Sequence, residues 1–145
     1  MTQDLFNPSL LISLALLVSA CSTTPAAEPS PPPLVGSSWL LEDIDGRGVI
    51  DRLQSTLSFE NSLRVAGRGG CNRYFGNYTL VDSELEFGPM GSTMMACPEA
   101  VMDQERRFLK ALESTRSYRL DADTGLLYFI DEAGTDRLRF SRLEL

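Results

Sequence analysis

Three cysteines, at positions 21, 71 and 97, are the residues of this chain whose chemistry is most informative. A thiol can carry a lipid, close a disulfide or act as a nucleophile, and its sequence context decides which. The chain contains no histidine. Serine-hydrolase triads, papain-like dyads and most zinc sites need an imidazole as base or ligand, so these classes are excluded. We therefore expect no catalytic residue, no metal site and no cofactor.

Cys21 follows an apolar run from Leu10 to Val18 and the small residues Ser19 and Ala20. The run has about the length of a signal-peptide core and is much shorter than the roughly 20 residues that cross a bilayer. The pattern resembles a bacterial lipoprotein signal, which implies a signal peptide over residues 1–20 and a lipid on Cys21. Ser22 follows in place of the aspartate that retains such proteins in the inner membrane. The resemblance therefore predicts a lipid-anchored protein of the cell envelope, on the outer membrane and facing the periplasm.

Residues 21–33 are predicted to be the lipidated cysteine and a proline-rich tether, with little that could be buried. At about 3.1 Å per residue, such a tether holds the folded part roughly 35 to 40 Å from the lipid. Residues 34–145 are long enough for one domain with its own core. The formal net charge is −7. This charge makes nucleic acid and anionic lipid surfaces poor partners, and we expect a monomer that binds an envelope protein or a small molecule.

Cys71 and Cys97 are an even pair within the predicted domain. In an oxidising compartment the simplest state of such a pair is a disulfide, which would stabilise the fold by about 3.5 kcal/mol in the chain-entropy model. Two alternatives stay open. The cysteines could be buried free thiols, or Cys97 could be redox-reactive, because a helix N-terminus just after it would lower the pKa of its thiol.

Asn72, Arg73 and Tyr74 follow Cys71 and a cluster of glycines at 67, 69 and 70. Glycines grouped after a strand indicate positive φ angles or a bulge, and asparagine tolerates the same backbone regions. Bulges also lie beside functional sites, so these three residues are candidate contacts to a ligand or partner. Arginines in the same region could form an anion site, although scattered arginines on a solvated edge are the simpler interpretation.

A recurring Leu-x-Phe tripeptide predicts four strands, because residues two apart lie on the same face of a strand. It occurs at residues 57–59, 85–87, 127–129 and 138–140. Further strands are expected at 39–44, 63–67 and 74–81, and turn signals separate them all. The short connections predict an antiparallel meander with one face on the core and one in water.

One good helix is predicted between the strand ending near Met95 and the strand starting near Tyr118. Pro98 suits its first position, and acids come before bases along it, as the helix dipole favours. An apolar stripe at helical spacing should cover the sheet and consists of Val101, Met102, Phe108, Leu109 and Leu112. The predicted fold class is α+β: a curved antiparallel β-sheet (meander) packed by one main α-helix.

Three ordered motifs, together with the Trp39 strand, resemble the META domain, also called the HslJ-like domain. They are Gly70-Cys71-Asn72-Arg73-Tyr74-Phe75-Gly76-Asn77-Tyr78, Leu85-Glu86-Phe87-Gly88-Pro89-Met90 and Ser92-Thr93-Met94-Met95-Ala96-Cys97-Pro98, followed by Gln104-Glu105 and Phe108-Leu109. The resemblance covers almost all of the chain after the tether. It implies a small α+β domain in bacterial envelope lipoproteins linked with heat shock and novobiocin tolerance, without an established catalytic activity.

These observations favour a non-enzymatic envelope lipoprotein whose domain is a binding or chaperone-like module with a role in envelope stress or drug tolerance. This hypothesis predicts an exposed apolar or aromatic patch, to which Trp39, Tyr74 and Tyr78 could contribute, although each also suits a core. One alternative is an inhibitor of an envelope hydrolase such as lysozyme, since an acidic domain suits a basic target. Another is a thiol-active or small-molecule-binding protein.

Overall fold

A computed structural model describes residues 34–144, so the predicted signal peptide, Cys21 and the tether lie outside the described residues. The described part contains nine strands and one helix. In chain order these are β1 (Ser38–Ile44), β2 (Thr56–Phe59), β3 (Arg64–Arg68), β4 (Arg73–Val81), β5 (Glu84–Phe87), β6 (Gly91–Ser92), α1 (Glu99–Ser114), β7 (Thr115–Leu120), β8 (Leu127–Asp131) and β9 (Asp136–Arg142).

All four Leu-x-Phe tripeptides lie in strands, as predicted, and bury both of their large side chains. Every strand pairing is antiparallel, and strands that follow each other along the chain pair with each other from β1 to β5 and from β7 to β9. The antiparallel pairing expected from the short connections is therefore present, and β7, which follows the helix, pairs with β5.

The predicted fold class is wrong, because the sheet is not an open curved layer. β1 pairs with β9 from Trp39–Arg142 to Ile44–Leu138, and β3 pairs with β4, so eight strands close into an antiparallel barrel. Closure pairs the backbone N–H and C=O groups that the edge strands of an open sheet would leave exposed. Only β6 stands outside the ring, paired with β4 at Tyr74–Ser92 and Phe75–Gly91. Residues 34–144 are mostly β, with one short helix.

The helix covers one end of the barrel, since Phe108 contacts two strands on opposite sides of the ring. Its ring centroid lies 5.6 Å from that of Tyr74 on β4 and 6.2 Å from that of Phe140 on β9. Linked aromatic rings fill the interior, and pairs of this geometry add about 0.5–1.5 kcal/mol beyond area burial. They are Phe59, Tyr74, Tyr78, Phe87, Phe108, Phe129 and Phe140. Residues 34–144 thus enclose a complete core and form a self-supporting unit.

The apolar stripe predicted on the helix is only partly correct. Phe108 and Leu112 are buried, but Val101, Met102 and Leu109 are half-buried. Their places are taken by Ala111 and by two polar residues, Gln104 and Glu105. The helix faces loops at the mouth of the barrel, where backbone groups need polar partners. Pro98 precedes the helix as its N-cap residue, one position earlier than predicted.

None of the described residues forms a helix with the length and hydropathy required to cross a membrane.

Candidate functional site

The carboxylate of Glu105 organises the region in which the sequence motifs converge. One oxygen accepts hydrogen bonds from the backbone N–H groups of Cys71 and Asn72, at 3.1 and 2.7 Å. The other accepts from the Asn72 amide, at 2.7 Å. Glu105 is buried, so these three donors replace the water that the carboxylate would otherwise bind. The side chain therefore fixes the helix to the loop that leads into β4.

Asn72 passes this connection on to the segment that follows β6. Its side-chain oxygen accepts a hydrogen bond from the Thr93 hydroxyl at 3.0 Å and one from the Met95 backbone N–H at 2.7 Å. Asn72 is buried; its amide nitrogen donates to Glu105 on the helix, and its side-chain oxygen accepts from the segment after β6. The structure therefore gives it a positioning role: Asn72 holds the chain between β6 and the helix.

Cys71 and Cys97 form a disulfide, as predicted, with their Cα atoms 6.1 Å apart and a separation of 26 positions in sequence. The bond joins the residue two before β4 to the residue just before Pro98. It therefore closes the same segment that Asn72 holds. We call this assembly the junction: Gly69–Asn72, Thr93–Cys97 and Glu105. Cys21, the predicted lipid site, lies outside the described residues.

The three glycines that precede Cys71 are required for different reasons. Gly70 has a φ of +132°, in the region that side chains rarely adopt. Gly69 is needed for space, because a Cβ there would lie 2.5 Å from the Cγ of Glu105. Gly67 is also needed for space, with a Cβ position only 2.0 Å from the Thr56 carbonyl oxygen. Of the three, only Gly70 shows the positive φ that the cluster predicts.

The three candidate contacts differ in accessibility. Tyr74 is buried, and its hydroxyl donates to the Thr56 carbonyl at 2.8 Å, so it belongs to the core. Burial raises the pKa of this hydroxyl well above its ordinary value. Trp39 and Tyr78 are buried too, and none of these aromatics reaches the surface. Arg73 is exposed on the outer face of β4, whereas Asn72 is buried within the junction.

A groove runs between the β6 segment and the first half of α1, directly over Asn72. It has a volume of about 400 Å³. Three methionines and Arg106 stand along it, and Met94 is 98% exposed. We call it the β6–α1 groove; its lining residues are Asn72, Ser92, Thr93, Met94, Met95, Ala96, Met102, Glu105 and Arg106.

Met94 and Met95 carry no prediction beyond their place in a motif. The signal that could have singled them out is a pair of large apolar residues in a segment without strand or helix periodicity, since such residues have no buried face to occupy. Phe75 was missed in the same way and is 53% exposed. The exposed apolar surface predicted for a binding module exists, but these other residues form it.

Comparison with known proteins identifies the domain. A family model described as the META domain matches residues 32–144. An NMR structure of a protein from Burkholderia xenovorans is 28% identical, with a TM-score of 0.62 over 84% of this chain and 98% of that one. A second NMR structure, 21% identical, has a TM-score of 0.58 over 73% of this chain and 88% of that one, and shows the fold alone. No curated protein sequence matches the chain significantly.

Proposed function

The chain belongs to the META domain family, and from this premise we propose that it is a non-enzymatic binding module of the cell envelope. The META family is not a known enzyme family. We propose further that the domain holds an extended segment of a partner polypeptide in the β6–α1 groove. The observation that carries this proposal is the position of β6, a strand with a free edge beside a methionine-lined groove.

The free edge of β6 supports backbone recognition. Among the strands in residues 34–144, β6 is the one with a single neighbour. The Thr93 N–H points at β4, where it donates to the Arg73 carbonyl at 3.0 Å. Since N–H groups alternate in direction along an extended chain, the N–H and carbonyl of Ser92 point away from β4. An extended peptide can pair with such an edge by main-chain hydrogen bonds, whatever its sequence.

The side chains of the groove support tolerant recognition of apolar residues. Met94, Met95 and Met102 are unbranched and polarisable, and methionine surfaces repack around different partners. Arg106 is largely exposed and pairs with Asp103 one turn earlier, at 3.3 Å, and an acidic side chain of the bound segment can replace this partner. A chaperone-like module requires this combination of sequence-independent edge pairing and adaptable apolar contact.

The envelope location completes the proposal. Lipidation at Cys21 and a tether up to residue 33 would present the groove to other envelope proteins. The Cys71–Cys97 disulfide is compatible with an oxidising compartment. We propose that the module acts when envelope proteins lose structure, which would link it to envelope stress and drug tolerance.

Both cysteines of the described residues are in this disulfide, so the domain provides no support for the thiol-active alternative. No feature of the groove favours inhibition of a hydrolase, and that alternative stays a prediction.

The groove is tested with a permanently unfolded probe, reduced and carboxymethylated α-lactalbumin, added to residues 22–145. NMR should show amide shifts at residues 91–96 and 102–106. Ser92→Pro removes the N–H that faces the groove without removing a bond to β4, and should weaken binding about fivefold. Ser92→Ala is the matched control and should bind like the wild type. Equal binding by both variants, or shifts confined to another face, would overturn the proposal.

The location is tested separately by mass spectrometry of native protein from a bacterial host. A diacylglyceryl group on residue 21, with residues 1–20 removed, is the expected result. An unmodified chain that retains the leader would show that the anchor is wrong, whatever the groove binds.

A further inference from the structure

The outer face of β3 and β4 carries a strip of positive charge around an exposed aromatic ring. The register places Arg68 opposite Arg73, Ala66 opposite Phe75 and Arg64 opposite Asn77. Residues directly opposite each other in an antiparallel pair share a face, so the three arginines and Phe75 point the same way. We call this surface the basic strip: Arg64, Arg68, Arg73 and Phe75.

The basic strip is electrostatically unusual in a chain with a formal charge of −7. Like charges directly opposite on two strands repel each other, and Arg68 faces Arg73 in this way. Within residues 34–144, none of the three arginines lies within ion-pair distance of an acidic side chain. Glu60 is the acidic residue that borders the depression beside Arg68 and Arg73. The strip therefore presents charge that an external anion can neutralise.

Phe75 adds an apolar contact at the centre of the strip. Its ring lies over Gly91, where a Cβ would come within 3.0 Å of two ring carbons, and more than half of the residue is exposed. The neighbouring end of the barrel adds more apolar surface, since Leu63, directly before β3, is 64% exposed. Val35 is exposed at the same end, beside Gly36, whose N–H donates to the Phe59 carbonyl at the end of β2.

We propose that the basic strip docks on an anionic phospholipid surface, with the arginines at the headgroup phosphates and Phe75 in the interface. The choice of a membrane rests on charge complementarity and on where the chain enters. The described domain begins at Leu34, at the end of the barrel that carries Leu63 and Arg64. A tether that leaves from this end reaches the bilayer that the strip would contact. The proximity of the strip to a bilayer rests on the envelope anchor of the proposed function.

The net charge of −7 predicts repulsion from an anionic surface, but the local positive charge of the basic strip outweighs it. In physiological salt, charges are screened over roughly 10 Å, so acidic residues on distant parts of the barrel contribute little at the strip. An arginine near an anionic surface gains affinity worth about fivefold in partitioning, and a buried phenylalanine adds more. Interfacial binding through aromatic and basic side chains together follows the same physics in amphipathic helices.

The test measures co-sedimentation of residues 22–145, without lipid, with vesicles of phosphatidylcholine alone or mixed with phosphatidylglycerol. Binding should require phosphatidylglycerol and decrease with added salt. Arg68→Gln combined with Arg73→Gln should weaken it about 25-fold, and Phe75→Ala about tenfold. Arg139→Gln is the matched control, because Arg139 is exposed on β9, on the opposite side of the ring from β4. Thermal melts should show that every variant is folded.

Two results would overturn the membrane proposal. The first is equal binding to both vesicle compositions, or an equal loss with Arg139→Gln. The second is loss of unfolded α-lactalbumin binding in the Arg68 and Arg73 double variant, which would assign the strip to a polypeptide partner. Ser92→Pro should bind vesicles normally, so failure of the groove and failure of the basic strip are distinguishable.

Discussion

The β7–β9 wall and the junction use similar carboxylate hydrogen bonds over very different distances in sequence. In the wall, Asp121 accepts from the Thr124 N–H at 2.9 Å, and Asp131 accepts from Ala133 and Thr135 at 2.9 and 3.0 Å. Each bond closes a turn within four residues. In the junction, Glu105 accepts from residues that precede it by 33 and 34 positions. The wall is therefore built locally, whereas the junction forms only when distant parts of the chain meet.

The local turn contacts therefore stabilise the barrel wall, whereas the long-range junction contacts position the β6–α1 groove. Loss of a turn carboxylate leaves backbone groups that water can reach, because the turns are exposed. Loss of a junction group leaves buried donors without partners, which costs far more. We expect mutations to divide along this line, and the following tests are ordered from the largest expected effect to the smallest.

Glu105→Ala should destabilise the domain most, by about 4 kcal/mol, since it leaves two backbone N–H groups and the Asn72 amide buried without an acceptor. Urea unfolding measures the change. Glu113→Ala, at an exposed position of the same helix, is the control: it loses one hydrogen bond from the Met90 N–H, at 3.3 Å, that water can replace, and should cost no more than about 0.5 kcal/mol. Similar losses in the two variants would remove the distinction between junction and surface.

Replacement of both Cys71 and Cys97 by serine should cost about 3.5 kcal/mol, the entropy of the loop that the disulfide closes. Urea unfolding of the variant, compared with the wild type in the presence and absence of reductant, measures this loss. Reductant should destabilise the wild type to the same extent and leave the variant unchanged. A loss below about 1 kcal/mol would mean that Glu105 and Asn72 hold the junction without the bond.

Tyr74→Phe should cost about 1 kcal/mol at neutral pH, because the hydrogen bond to the Thr56 carbonyl is lost. Burial raises the pKa of Tyr74 above its ordinary value of 10.0. The folded state therefore keeps a proton that the unfolded state releases, so this part of the stability is complete below about pH 10 and lost as the pH rises. The difference in urea midpoint between wild type and variant should shrink as the pH is raised from neutral to alkaline. A gap that widens with pH would contradict this assignment.

Asp131→Asn should have the smallest effect. Hydrogen bonds lower the pKa of this carboxyl below its ordinary value of 3.8, first the one from the Thr135 N–H and then those from Arg137 and Ala133. The contribution of the Asp131 carboxylate to folding stability is therefore present above the ordinary pKa and lost as the pH falls through the lowered pKa. Thermal melts should show a small deficit at neutral pH that disappears in acid. A deficit as large as that of Glu105→Ala would contradict the division between wall and junction.

The strands were predictable because their signal is local. Each Leu-x-Phe tripeptide states its own alternation, and the turns between strands carry their own glycines and acids. Closure was not predictable in this way. The pairing of Trp39 with Arg142 joins residues about a hundred positions apart, and nothing in either strand specifies its partner. An open meander and a closed one have the same local pattern.

The junction shows the same limit for side chains. Gln104 and Glu105 interrupt an apolar helix face, and from the helix alone they belong in water. They are buried because backbone N–H groups of Ile50, Cys71 and Asn72 need acceptors there. β4 carries aromatic residues on both faces, so alternation could not decide that Tyr74 points inward and Phe75 outward. The disulfide was predictable because the domain has two cysteines, and the oxidising compartment expected from the signal pattern leaves few alternatives.

The pairing of the first barrel strand with the last also constrains how the protein is made. A ribosome releases β1 long before β9, so β1 has to wait with one flank unoccupied while the rest of the domain is synthesised. The Leu143 N–H, which donates to the Ser38 carbonyl at 2.9 Å, emerges only after all the other strands of the barrel. Nascent chains stalled before Asp136 should therefore stay sensitive to protease, and resistance should appear only once β9 has emerged.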